Sequence, residues 1–138
     1  MLNTILIDAG PLIALFDKDD KYHGKIKQFL RGKRLKYITT NAVITEVTYM
    51  LNFSIEVQIL FFEWVMKEGV LIQEIQQHDI GRIVELTKKY RDRPMDYADA
   101  TLVVAAEKTG ITQIISLDSD FDMYRLPKKV RIENIFKE

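Results

Sequence analysis

Apolar and polar positions alternate in short blocks along the chain. "TILIDAG" (4–10) is a brief apolar run that ends in Asp8 and then Gly10-Pro11, the profile of a buried strand with a turn at its carboxyl end. "LKYITT" (35–40), "VLIQEI" (70–75), the part of "GITQIISLD" (110–118) after its helix-stopping glycine, and "KVRIENI" (129–135) predict further strands. Between them lie segments with apolar residues at helical spacing: "HGKIKQFLRGK" (23–33), "NAVITEVTYMLNF" (41–53), residues 55–68 ahead of Gly69, and "QHDIGRIVELTKKY" (77–90) despite its Gly81. Thr39, Thr40 and Asn41 offer cap residues for the second of these. Strands alternating with helices predict an α/β fold, a parallel sheet covered on both faces. No repeat, linker or low-complexity tract interrupts residues 1–138, so a single domain is expected.

In such sheets ligands bind beyond the carboxyl ends of the strands, near the point where strand order reverses. Asp8 ends the first predicted strand and Asp118 ends "QIISLD", so both are expected in one crevice. "RDRPMDYADATLVVAAEKTG" (91–110) adds two more carboxylates, Asp96 and Asp99, at the mouth of a helix that is otherwise apolar for nearly three turns. Asp96 suits an N-cap, and an acid three residues on suits the positive end of the helix dipole. Asp99, however, shares its row with Leu102, Val103 and Ala106, which face inward. A carboxylate there needs donors, a proton or a cation. On the 41–53 helix, a wheel at about 100° per residue puts Val43, Val47, Met50 and Ser54 on one stripe, with Ile44 and Leu51 beside it and Glu46 at its margin. Glu46 is therefore either a boundary residue or an acid aimed at something specific.

Charge and composition narrow the chemistry. Twenty basic and 20 acidic residues cancel, so a polyanion partner would have to be held by local patches. Lys25 to Lys36, Lys88 to Arg93 and Arg125 to Arg131 supply three of these, each also readable as a solvated face. Absence of cysteine removes thiolate sites, disulfides and a thiol nucleophile, and accords with a cytoplasmic location. "MLNTILIDAG" lacks the start of a signal peptide, and the greasiest stretch (55–72) is broken by Glu56, Glu63, Lys67 and Glu68, so no membrane span is expected. The two histidines, His23 and His78, read as helix-start and surface residues, and there is no Walker loop, GxGxxG or GxSxG.

What remains is acids. Asp8, Glu46, Asp99 and Asp118 come from two strand ends and two helices, and a cluster of like charges calls for compensation. Mg²⁺ or Mn²⁺ would supply it with oxygen ligands alone, and such a site suits phosphodiester hydrolysis.

At this point the chain resembles a PIN domain, and more narrowly the VapC-type toxins of bacterial and archaeal toxin–antitoxin pairs. The pieces that carry the resemblance are "ILIDAGPLIALFDKDDKYH", "ITTNAVITEVTYML", "RPMDYADATLVVAAEKTGI" and "IISLDSDFDMYR", in the family's order. The resemblance implies about five parallel strands flanked by helices, and a Mg²⁺- or Mn²⁺-dependent ribonuclease acting on single-stranded or loop RNA. It maps the family's acids onto Asp8, Glu46, Asp99 and Asp118, with Asp8 and Asp99 bonding the metal and Glu46 and Asp118 holding its waters or a second ion. Asp96 matches a further aspartate of this branch that binds metal through water or orients Asp99. Ser116, with Thr40, is expected to support the site. A small antitoxin that covers the site and a homodimer are also implied, the apolar segment from Glu56 to Gly69 offering a seat for either. Two other readings use the same residues: a metal-dependent phosphatase, and an RNA- or partner-binding PIN-like module that does not cleave.

Overall fold

The computed structural model describes residues 3–137. Five strands form one parallel sheet: β1 (Asn3–Ile7), β2 (Leu35–Thr39), β3 (Leu71–Ile72), β4 (Gln113–Ile115) and β5 (Glu133–Asn134), in the order β3-β2-β1-β4-β5. The chain steps outward from β1 through β2 to β3, then crosses back to build β4 and β5 on the other side. Strand order therefore reverses between β1 and β4, and the crevice expected of such a sheet opens at their carboxyl ends. Burial along β1 deepens toward that end, from exposed Asn3 to buried Ile5, Leu6 and Ile7.

Six α-helices cover the sheet: α1 (Ala9–Phe16), α2 (His23–Leu30), α3 (Asn41–Met50), α4 (Ile55–Met66), α5 (Ile80–Lys89) and α6 (Tyr97–Thr109). α1 packs on α2 and α3, while α6 is held by α3 and α5. Every residue of α6 from Ala98 to Ala106 is buried, which accounts for a sequence there that is apolar but for Asp99 and Thr101. Alanines at 98, 100, 105 and 106 let neighbours approach closely, Asp96 caps the start, and Gly110, at φ 76°, closes the end in the left-handed conformation.

Three expectations change. Gly10-Pro11 is not a turn: the chain enters α1 directly from β1, with Asp8 as N-cap and Pro11 in the first turn, where its missing N–H removes no intrahelical bond. The stripe on α3 runs through Val43, Val47 and Leu51, while Met50 is half exposed, because i, i+4, i+8 positions face the core here. The outer strands β3 and β5 each shrink to two residues of their predicted runs, as suits edge positions with one partner apiece.

Gly69 lies beyond α4 as expected, but the left-handed residue is Glu68, at φ 64°. Gly69 is there for space, since a Cβ on it would fall 2.2 Å from the Trp64 ring, which itself packs edge-on against Phe16. Gly69→Ala should therefore cost about 1–3 kcal/mol by overpacking. Trp64 is the chain's one tryptophan, so a lowered unfolding midpoint accompanied by a shifted native emission maximum checks this directly. An unchanged midpoint would show that the ring yields freely.

Candidate active site

Five carboxylates line one open cleft of about 460 Å³ at the carboxyl edge of the sheet: Asp8, Glu46, Asp96, Asp99 and Asp118, with Gly10, Leu117 and Ser119 completing its wall. The reversal of strand order brings Asp8 and Asp118 there, and packing of α3 and α6 brings the other three.

The aspartates are fixed in place by directed hydrogen bonds, two at Asp8 and one at each of the others. Asp8 Oδ1 accepts from the Ala9 amide at 2.8 Å, and Oδ2 from the Ser116 hydroxyl at 3.0 Å. Ser116 Oγ in turn accepts from the Asp118 amide at 3.0 Å, so one buried hydroxyl ties both strand-end acids together. Asp118 Oδ1 accepts from the Asp120 amide and Asp96 Oδ1 from the Asp99 amide, the latter being the cap of α6. Asp99 Oδ2 accepts from the Tyr124 hydroxyl at 3.0 Å. Glu46 is exposed and makes no hydrogen bond through its carboxylate among the described residues. Four acids are thus held with lone pairs left over, and one is free to swing.

Electrostatics follow from the crowding. Burial pushes the Asp8 carboxyl up to about 6, with Glu46 and Asp96 adding repulsion that the Ala9 and Ser116 donors only partly offset. Asp99 is pushed up to about 8, first by burial, then by Asp8 and Asp96, against the pull of Tyr124. Glu46 is raised by burial and by Asp96, and Asp120, just outside the cleft, by burial and by Asp118. Tyr124 is itself raised by burial and by Asp99, so it stays a phenol that donates. Arg93 reaches Asp120 at 3.8 Å, and among the described residues no ion pair engages Asp8, Glu46, Asp96, Asp99 or Asp118.

These groups fit a hard cation by their chemistry: all side-chain donors lining the cleft are oxygen, half-buried Asp8 and buried Asp99 repel each other, and no nitrogen or sulfur side chain competes. Among the described residues no three acids form a ready-made cage. Mg²⁺ and Mn²⁺ do not need one, since one or two carboxylates suffice when water and phosphate complete the shell.

Sequence reasoning missed the supports. Tyr124, buried between Tyr90 and Phe121 ring edges, orients Asp99 from 25 residues away. Asn134 at the end of β5 grips the Ser116 backbone from both sides, donating to its carbonyl and accepting from its amide. Both lie inside runs that read only as strand or loop, and no spacing rule couples them to an acid. Thr40 is buried as a supporting residue would be, but its hydroxyl neither caps α3 nor enters the cleft. It donates to Thr101 at 2.7 Å, because Thr101 spends its own proton on the Ala98 carbonyl, and so locks α3 to α6. His23 joins the Ala14 carbonyl to the start of α2, and His78 sits beside Asp79.

A family profile described as PIN domain matches residues 5–127. No curated protein matches the sequence. Among solved structures, the crystal structure of the Mycobacterium tuberculosis toxin VapC20, described as sarcin–ricin loop cleaving, is similar with a TM-score of 0.77 and 21% identity, over 86% of this chain and 93% of that one. At that identity the likeness speaks to the fold.

Proposed function

Since the chain belongs to the PIN-domain family, we propose that it is a metal-dependent endoribonuclease that hydrolyses RNA phosphodiester bonds, and the toxin of a toxin–antitoxin pair. The observation that carries this reading is Asp8 and Asp99 lining one cleft, each held by a hydroxyl donor, with Asp99 buried and raised by the charge of Asp8. A similar structure belongs to a toxin described as cleaving the sarcin–ricin loop, an RNA element, and that favours RNA as the substrate.

Asp8 and Asp99 are the residues to hold Mg²⁺ or Mn²⁺ directly, with Asp118, Asp96 and Glu46 holding its waters or a second ion. The bound ion would neutralise charge on the phosphodiester and make water a better nucleophile. The chain's own residues then do the positioning. Ser116 keeps Asp8 and Asp118 in register, and Tyr124 holds the Asp99 carboxylate through Oδ2, which leaves Oδ1 for the ion. Glu46, the acid without a fixed partner, is free to accept the proton of the attacking water.

The partners fit an exposed apolar surface on α3, α4 and the turn between them, where Tyr49, Phe53, Ile59, Leu60, Phe62 and Met66 stand out from the core. Such a face suits a second copy or an antitoxin helix. Among the described residues no helix is long and apolar enough to cross a membrane.

The deciding experiment assays RNA and a small aryl phosphate side by side with Mn²⁺ and with chelator. RNA fragments formed only with the ion, and an untouched aryl phosphate, are expected. Hydrolysis of the aryl phosphate alone would favour the phosphatase reading, and RNA bound but intact would favour the non-cleaving module.

A further inference from the structure

The acid cleft does not end at Asp118. Its wall of Leu117, Asp118 and Ser119 is shared with a second cavity of about 370 Å³, which also takes in Tyr22, Asp122, Asn134, Phe136 and Lys137. Phe136 and Lys137 are shared in turn with a third, of about 260 Å³, completed by Lys25, Gln28 and Phe29. Three hollows with common walls thus run along the carboxyl edge of the sheet, from β1 past β4 to β5 and across to α2.

Their character changes along the way. The first is acidic. The second is mixed, with Asp122 and Asp118 against Lys137 and the amide of Asn134. In the third, apolar surface from Phe29 and Phe136, whose rings meet edge-on at 5.2 Å, is rimmed by the ammonium groups of Lys25 and Lys137. Lys21 and Lys25 also gather round the Tyr22 ring, 5.1 and 5.7 Å from its centre. An acidic cleft cannot by itself hold a polyanion, and the chain carries no net positive charge to draw one in. Aromatic surface beside lysines is the chemistry that holds single-stranded nucleic acid: bases rest on apolar walls and cations meet phosphates.

We propose that this track from Asp118 to Phe29 is the binding site for the unpaired RNA nucleotides on one side of the scissile phosphate, with Lys25 and Lys137 meeting their backbone and the Phe29–Phe136 hollow receiving a base. The proposal rests on the ribonuclease reading above and assigns where its substrate lies. Charge complementarity and continuity with the acid cleft identify the occupant.

Anisotropy titrations of a fluorescein-labelled single-stranded RNA of about 15 nucleotides test it, a length that spans the whole track. The parent is Asp99→Asn, so that the RNA survives. Lys137→Gln and Lys25→Gln on that background should each weaken binding about three- to tenfold and reduce the slope of log K against log salt by about 0.7, the share of one single-strand phosphate contact. Phe29→Leu, which keeps apolar volume, should weaken binding with the slope unchanged. Lys67→Gln, at the far end of α4, serves as the control and should match the parent. Equal affinity and slope in both lysine variants and the parent would overturn the track while leaving the ribonuclease reading intact. If the parent binds no RNA and the wild-type protein cleaves none, both fail together.

Discussion

Asp99→Asn is expected to lower metal-dependent RNA cleavage on the order of 10²–10³ or more, the scale of losing one preorganised charge-stabilising group in a reaction centre. The fold should survive, because the amide oxygen of asparagine can still accept from the Tyr124 hydroxyl and the Asp96 cap on the residue-99 amide does not involve the side chain. What disappears is the one acid that the structure places on the buried row of α6, in repulsive contact with Asp8 and Asp96. Asp8→Asn should behave alike, as asparagine is an equally good N-cap for α1 and Ser116 can turn its hydroxyl to accept. Glu46→Gln is expected to fall less far than either, since an exposed carboxylate with no fixed partner is the one that water can replace. Steady-state rates with Mn²⁺ on a defined RNA, beside circular dichroism of each variant, decide the matter. Full activity in well-folded Asp99→Asn or Asp8→Asn would end the assignment.

Much of this arrangement is legible in the sequence because the topology does the aiming. A strand that ends in an acid, as "TILID" and "IISLD" do, sends that acid to the carboxyl edge in any parallel sheet, and reversal of order at β1 and β4 makes the two ends adjacent. Asp99 is readable for a different reason: its helical row is wholly apolar, so a carboxylate there has no bland surface role. Asp96, open to either role, caps α6 through Oδ1 and still borders the cleft, which makes its two roles compatible. Local signals failed where tertiary contacts decide. Gly10-Pro11 suggests a turn until Asp8 is seen capping a helix, with Gly10 set where an added Cβ would lie 3.3 Å from the Leu117 side chain. The span from Ser116 to Asn134 is 18 residues, and the bonds between them arise only because β5 lies beside β4. Met50 shows the limit of a wheel drawn without knowing which of two adjacent rows meets the sheet.

The ion-free protein should lose stability as pH rises from about 4 to 8, against the usual behaviour of paired carboxylates. In the unfolded chain Asp8 and Asp99 release their protons near the ordinary aspartate value of 3.8, whereas in the fold they hold them to about 6 and about 8. Over that window the native state binds more protons than the unfolded state, so the slope of unfolding free energy with pH is negative. The stability present at low pH is lost in stages as the folded carboxyls ionise, and by pH 8 Asp8 is charged and Asp99 is about half ionised beside it. A divalent cation reverses the penalty by taking the place of the protons. At pH 5.5 it must displace protons from both, while at pH 8 it meets Asp8 charged and Asp99 about half ionised. Mn²⁺ at 100 times its dissociation constant adds about 2.7 kcal/mol, and its own dissociation constant should be tighter at the higher pH. Thermal unfolding with chelator and with Mn²⁺ at both pH values should therefore show a small shift at 5.5 and a large one at 8, with the gap much reduced in Asp99→Asn. Calcium-free buffers and an equal concentration of K⁺ salt separate this from screening, which would help every variant alike. Stability that rises with pH in chelator, or an equal Mn²⁺ shift at both pH values in wild type and Asp99→Asn, would mean that these acids do not form the ion's site.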